Sequence, residues 1–462
     1  MIAPARLRTR LMAATAALLT GFPLVSAAAS ADDTAELEAR IEALEAIVRA
    51  LQDELDARST AVSPRADAVA TLAPARAGNT PGPAPSPAPA PSSAPATSPA
   101  SGFMAGNTHI GMGGFLDVDA HVTDLSDGTI APTSIARDFY IPGAIPVDGN
   151  GHGDPATDFT AKASRIYFTF ATPAADGDVT GRLEFDFLGS PGGNERVSNS
   201  YNPRLRVGWV DYRGIRAGQD WSTFQNTSAI PESVSFLVAS DGMIFVRQAQ
   251  LRYTHGPWQL ALENPDTTLT PAGGGARIEN GNGRLPDLVV RYNHSSAAGN
   301  VSLAGLVREL SWDDGTGAQT TTGWGLSASG RINLAERSDL RFAASWGEGV
   351  GRYIGLNAVN GATVGPDGSL EALPVAGGLV ALHRGFGDSS RVNLGLSWLS
   401  ADNPVWAGPA ATQSVRSGFA NYMTDLAPGV SAGIEFLYGE RELENGLTGS
   451  LSRITLSTKY GF

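Results

Sequence analysis

The chain has 462 residues, no cysteine, 55 glycines and a formal net charge of −13. A thiol-free secreted chain suits an oxidising periplasm or outer membrane, and it excludes a lipid anchor on an N-terminal cysteine. The acidic balance argues against nucleic acid as a partner, and the length allows several segments and a large closed barrel.

Residues 1–31 read as a secretory signal. Arg6, Arg8 and Arg10 form the charged start, 11–25 the apolar run, and Ala27, Ala28 and Ala29 a small-residue cleavage site. Residues 32–58 then carry a heptad. Leu37, Ile41, Leu44, Val48, Leu51 and Leu55 alternate spacings of four and three, which predicts a short periplasmic coiled coil. Ile and Val at a with Leu at d favour two helices, whereas Ile47 at g widens the stripe toward three. Residues 59–102 form a Pro/Ala/Ser linker that cannot bury a core and reads as an extended spacer.

From 103 to 462 the pattern changes to repeated alternating strands, predicting an all-β domain. Apolar sets such as Ile166, Phe168, Phe170, then Leu205, Val207, Trp209, then Leu394, Leu396, Trp398 recur with period two. No segment offers the roughly twenty apolar residues of a membrane helix. Only a closed barrel lets such strands cross lipid with every backbone group paired. Seven short connections alternate with eight long ones, near 122–161, 189–202, 221–243, 264–286, 310–322, 347–374, 400–412 and 440–449. That count predicts a sixteen-stranded antiparallel transmembrane β-barrel of the bacterial outer membrane, with short turns and both chain ends in the periplasm. The last strand ends in Tyr460 and Phe462, as an outer-membrane assembly signal would, and Trp209, Trp258, Trp346, Trp398, Tyr438 and Tyr460 suit interface girdles.

The stretch 217–253 organises the rest. Two strand patterns flank more than twenty residues anchored by Trp221, Phe224 and Phe236. A connection of that length in a compact protein is usually functional, and the expectation is a loop folded into the barrel mouth to narrow it. The plainer reading is a surface loop pinned by its own aromatics. Ala-Gly-Gln-Asp-Trp-Ser-Thr-Phe (217–224), Pro231-Glu232, Phe-Val-Arg-Gln-Ala-Gln-Leu-Arg-Tyr (245–253), Ser-Arg-Ile-Tyr-Phe-Thr-Phe (164–170) and Leu-Glu-Phe-Asp-Phe-Leu-Gly-Ser (183–190) resemble the DcaP-like outer-membrane porins. The resemblance implies a homotrimer of sixteen-stranded barrels with a periplasmic coiled coil, embedded in outer-membrane lipid and passing small anionic solutes, dicarboxylates among them.

Phasing each strand by its apolar face gives the inward positions. These hold Arg165, Arg182, Arg204, Arg206, Arg216, Arg252, Arg291, Arg308, Arg331, Arg341, Arg391, Arg416, Arg453 and Lys459. The acids of that parity are fewer: Asp117, Asp119, Glu184, Asp186, Glu263 and Glu435. With Arg247 at the loop exit, this predicts an Arg-lined, anion-selective lumen, because rings of Arg or Lys make anion pores and Arg fits planar carboxylates. The plainer reading is that each Arg neutralises a wall acid, but the inward bases outnumber the acids. No nucleophile, metal or cofactor constellation appears, so the expectation is a non-enzyme with no cofactor. A second reading makes the barrel a structural anchor that tethers the outer membrane to the periplasm or cell wall through the coiled coil.

Overall fold

The computed structural model describes residues 102–462 apart from 190–198, 282, 314 and 316. The signal segment, the heptad helix with Leu37, Ile41, Leu44, Val48, Leu51 and Leu55, and the linker up to residue 101 lie outside the described residues.

Sixteen lanes close into an antiparallel ring. In chain order they are β1 (Thr108–Leu125), β2 (Arg165–Thr172), β3 (Val179–Asp186), β4 (Arg204–Tyr212), β5 (Ile215–Trp221), β6 (Arg247–His255), β7 (Trp258–Glu263) and β8 (Asp287–Ser296). They continue with β9 (Gly299–Asp313), β10 (Ala318–Ala335), β11 (Ser338–Glu348), β12 (Pro374–Phe386), β13 (Ser390–Ala401), β14 (Thr412–Ala427), β15 (Val430–Leu443) and β16 (Thr448–Gly461). Neighbours in sequence pair throughout, and β16 returns to β1, with Phe115 opposite Gly461 and Leu125 opposite Leu451. Two short strands extend existing lanes beside β1 rather than adding new ones: Gly102–Ala105, and Ala156–Thr160 above β2.

The faces are inverted relative to a soluble sandwich. On β13, Leu394 is 51% and Leu396 64% exposed, while Asn393 and Ser397, which flank them, are 2% and 3% exposed. An apolar band turned outward is what lipid requires. Trp258, Trp346, Trp398, Tyr438 and Tyr460 lie on that exposed face.

Three local expectations are corrected. On β4 the register slips: Phe185 faces Leu205 but Glu184 faces Val207, leaving Arg206 as the extra residue of a bulge. A bulge of one residue flips every later side chain. Leu205 therefore stays outside, Val207 is buried inside, Val210 takes the outer face, and Trp209 turns inward under the Arg216 guanidinium at 3.7 Å. Arg416 also points outward, pairing with Glu440 across β14 and β15. The connections expected as long near 310–322 and 440–449 shrink to 314–317 and 444–447, because the flanking strands keep pairing past the membrane band.

The ends differ as the alternation implies. Short turns close one end; at Arg213 and Gly214 both residues take positive φ (54° and 81°), the two-residue hairpin geometry that matches strand twist. The other end carries loop 1 (126–155), loop 3 (222–246), loop 4 (264–286), loop 6 (349–373) and loop 7 (402–411). Inside the barrel these loops, not the strands alone, build the core. Loop 1 residues Phe139, Tyr140 and Ile145 pack with loop 3 residues Leu237, Val238 and Met243. Phe224, Ile244, Tyr353 and Ile354 form a second cluster.

Candidate functional site: the lumen under loop 3

Loop 3 leaves the wall between β5 and β6 and crosses the lumen. Near its start Phe224 is 1% exposed and meets Tyr353 of loop 6 edge-on at 5.9 Å. Trp221 lies edge-on to Phe245 at 4.8 Å, and Phe245 in turn to Phe236 at 6.3 Å, so the aromatics brace both ends of the loop. The middle then reaches the far wall. Asn226 Nδ2 donates to Asn300 Oδ1 on β9, and the Arg341 guanidinium on β11 donates to the Ile230 carbonyl at 2.6 Å. Glu232 accepts from Arg391 at 2.8 Å on β13, and Glu435 on β15 accepts from the Val234 amide at 2.9 Å and from Ser235 Oγ at 2.5 Å. Farther on, Gly242 lies on the backbone of Gly378, where a Cβ would come within 2.2 Å of an amide nitrogen; glycine permits this approach.

Two loop carboxylates show how the crossing is held. Burial would raise the Glu232 carboxyl, but the bonds from His383 and Arg391 prevail and hold it at about 2. Among the described residues no cation pairs with Asp241: Tyr140 Oη donates to it at 2.7 Å, and Ser417 Oγ also donates. Burial there outweighs those bonds and raises the carboxyl to about 6.

The inward arginines fall into two groups. The first pins loops. Arg252 donates to Thr223 Oγ1 at 2.8 Å and to the Trp221 carbonyl, and Arg291 donates to the Gln225 carbonyl. Arg308 pairs with Asp287 at 3.3 Å and donates to the Gly349 carbonyl, and Arg453 donates to the Ala136 carbonyl. Backbone carbonyls folded into a barrel need donors, and a guanidinium supplies five. Arg216 pairs with Asp211 and Asp220 on the wall itself. Alternation revealed that these arginines face inward, but it carries no sign of the carbonyls they meet.

The second group clusters on the wall at β2–β6, and two of its members, Arg165 and Arg206, line a cavity. Arg165 and Arg182 pair with Glu184 at 3.5 and 2.8 Å, Arg204 with Asp186 at 2.8 Å, and Arg206 with both acids at 2.8 and 2.6 Å. Arg247 is different. Its guanidinium lies 4.7 Å over Trp221 and 5.7 Å from Phe245, and its Nη1 is buried without a hydrogen-bond partner. It lies within electrostatic reach of Arg165, Arg204 and Arg206, and of Asp186, which Arg204 and Arg206 already engage. Five guanidinium groups thus share two carboxylates, a surplus of three positive charges. The face opposite is the loop 3 segment 230–237. Between the two lies a cavity of about 90 Å³ lined by Arg165, Arg206, Trp221, Pro231, Glu232, Ser233, Phe236, Phe245 and Arg341, among others. Among the described residues no cluster could hold a metal ion.

The DcaP outer membrane protein family matches residues 93–462. The crystal structure of the outer membrane channel DcaP of Acinetobacter baumannii superposes with a TM-score of 0.64 at 22% identity, covering 78% of this chain and 99% of that one. An anion-selective porin from Comamonas acidovorans matches with a TM-score of 0.49 at 10% identity, covering 77% and 100%. OmpT of Vibrio cholerae in its trimer form matches with 0.46 at 10% identity, covering 77% and 100%. No curated protein matches in sequence. The profile match spans the whole described barrel, and this chain belongs to the DcaP outer membrane protein family.

Proposed function

We propose that the barrel is a passive outer-membrane diffusion channel for small anionic solutes, dicarboxylates among them, with its long loops outside the cell. The observation that carries this reading is the unbalanced guanidinium cluster of Arg165, Arg182, Arg204, Arg206 and Arg247 facing the loop 3 crossing. Low-dielectric walls focus such a field and concentrate counter-ions. Screening within about 8 Å at physiological salt leaves only solutes near that wall guided, and loop 3 keeps them near it. Arg216, Arg252, Arg291 and Arg308 act in this reading as supports of the constriction, which they hold by its backbone. The test is the reversal potential of the reconstituted channel in a salt gradient: an anion-side potential is expected, and a cation-side potential would reject the reading.

The working unit we infer is a homotrimer. The heptad at 32–58 supplies one association element. The barrel supplies another: β2–β7 are only 8, 8, 9, 7, 9 and 6 residues long, whereas β10 has 18 and β14 has 16. A membrane-spanning strand takes about 9–11 residues, so the low wall is the side to shelter against a second copy. Deleting 32–58 should weaken trimer assembly and leave the conductance of each pore unchanged, as read by native gels and single-channel steps. If pore conductance is lost at normal barrel content, the helix shapes the channel. If no conductance is found in any form, the anchor reading gains.

A further inference from the structure

We propose a second anion site, separate from the constriction, at the outer mouth between loops 1, 4, 6 and 7, and assign it to a hydroxylated organic acid. A cavity of about 450 Å³ lies there, within the size range of small-molecule sites. Its charged lining is Arg277 of loop 4 and Arg441 at the loop end of β15; no carboxylate lines it among the described residues. Each guanidinium is already aimed. Arg277 Nε donates to Asn360 Oδ1 at 2.7 Å and another of its N–H groups to the Asn357 carbonyl. Arg441 Nε donates to Thr412 Oγ1 at 3.0 Å and Nη1 to the Ile145 carbonyl at 3.1 Å. A guanidinium has five N–H donors, so each keeps three for a ligand.

The rest of the lining fixes the body of the ligand. Thr270, Asn357, Asn360 and Asn403 supply amide and hydroxyl groups, and alanines and glycines of loops 1, 4 and 7 leave room beside them. Asn403 is held by the Thr412 carbonyl at 2.9 Å and by Glu444 at 2.8 Å, and Asn360 Nδ2 by Thr270 Oγ1 at 2.8 Å, so these groups are preset. A carboxylate matches the spare guanidinium donors by charge-assisted bonds. Hydroxyl groups, which both donate and accept, match the amides and threonines. Glu444 holds Asn403 from behind and does not line the cavity, so the charged groups a solute touches there are the two guanidiniums. The site would load solute before the constriction, and it rests on the channel reading only in that respect.

The test uses the full-length protein in planar bilayers free of lipopolysaccharide, with gluconate as probe. Gluconate on the long-loop side should give brief partial blocks whose frequency rises with concentration, and far fewer from the other side. Arg277→Ala and Arg441→Ala should each shorten the blocks about ten-fold, the scale of one lost charge-assisted bond. Arg441 also holds loop 1, so Ala410→Glu serves as the second route: it adds a carboxylate at the exposed rim, breaks no bond and should shorten the blocks similarly. Equal blocking from both sides, no blocking, or wild-type durations in Arg277→Ala and Ala410→Glu would overturn the proposal. The reversal potential in potassium chloride should keep its wild-type sign in these variants. A cation-side potential with Arg277-dependent gluconate blocks would sink the selectivity reading and leave this site standing.

Discussion

Loop 3 meets two walls of the barrel, and they treat charge in opposite ways. Along β12–β15 the loop 3 and wall carboxylates are matched: Glu232 to Arg391 and His383, Glu435 to Asn421 and the 234–235 backbone, Asp241 to two hydroxyls. That wall is adhesive, and its polar groups are spent on holding the loop. Along β2–β6 the cations outnumber the acids, and Arg247 rests on the Trp221 and Phe245 rings with no ion pair among the described residues. A cation–π contact stabilises a guanidinium without neutralising it. The difference teaches where to look for selectivity: in the charge left over after the loop is fastened, and not in every inward arginine.

The largest expected effect comes from removing the object that both walls share. Deleting 227–240 should raise single-channel conductance several-fold and admit larger neutral solutes, because the loop crosses the lumen. Unchanged conductance would place the solute path elsewhere. The next test separates the two uses of arginine within one wall. Arg206 is 3% exposed and bonds both Glu184 and Asp186. Arg206→Ala removes those two buried charge-assisted bonds while Arg165 and Arg182 still hold Glu184 and Arg204 still holds Asp186, and should destabilise the barrel by about 1.5–3 kcal/mol. Arg247→Ala breaks no ion pair. It should leave the melting temperature nearly level while shifting the reversal potential toward cations and reducing dicarboxylate flux, with flux of a neutral sugar of similar size unaffected. Equal loss for both solutes in Arg247→Ala would mean the opening, not the field, was damaged.

Much of the barrel was legible because its signal is one-dimensional. Period-two alternation fixes which face is wet, and connection length fixes topology, so sixteen strands followed from counting. The bulge at Arg206 was not legible, since one extra residue leaves the sequence pattern intact while flipping Val207 and Trp209. The site was legible only as a parity. Arg204, Arg206 and Arg247 could be placed inside, but what distinguishes Arg247 from Arg291 is a partner drawn from a distant loop. Gln225 gives its carbonyl to Arg291, and no local pattern in sequence announces a backbone carbonyl. Tyr140, Asp241 and Tyr353, which fasten the loops, were missed for the same reason.

The smallest effect is on pH, and it tests the adhesive wall alone. Asp241 is fully buried between Tyr140 of loop 1 and Ser417 of β14, and its carboxyl is raised from 3.8 to about 6. When loop 3 lifts off, the group returns to its ordinary value. A raised value in the docked state means the docked form holds its proton longer than the open form. Docking is therefore tightest below about 4, weakens as pH rises through 6, and is then constant, the span being on the order of 3 kcal/mol at most. Glu232 works in the opposite sense: held at about 2, it supports docking above its ordinary 4.5 and loses that support in stronger acid. Between them the loop should be steadiest near pH 4–5. Asp241→Asn keeps an acceptor for Tyr140 and gains a donor for Ser417 without ever ionising. It should abolish the rise in current flicker between pH 4 and 7 while leaving conductance level. A variant that flickers with the wild-type pH profile would show that Asp241 does not set the grip of loop 3, and the adhesive wall would then rest on Glu232 and Glu435.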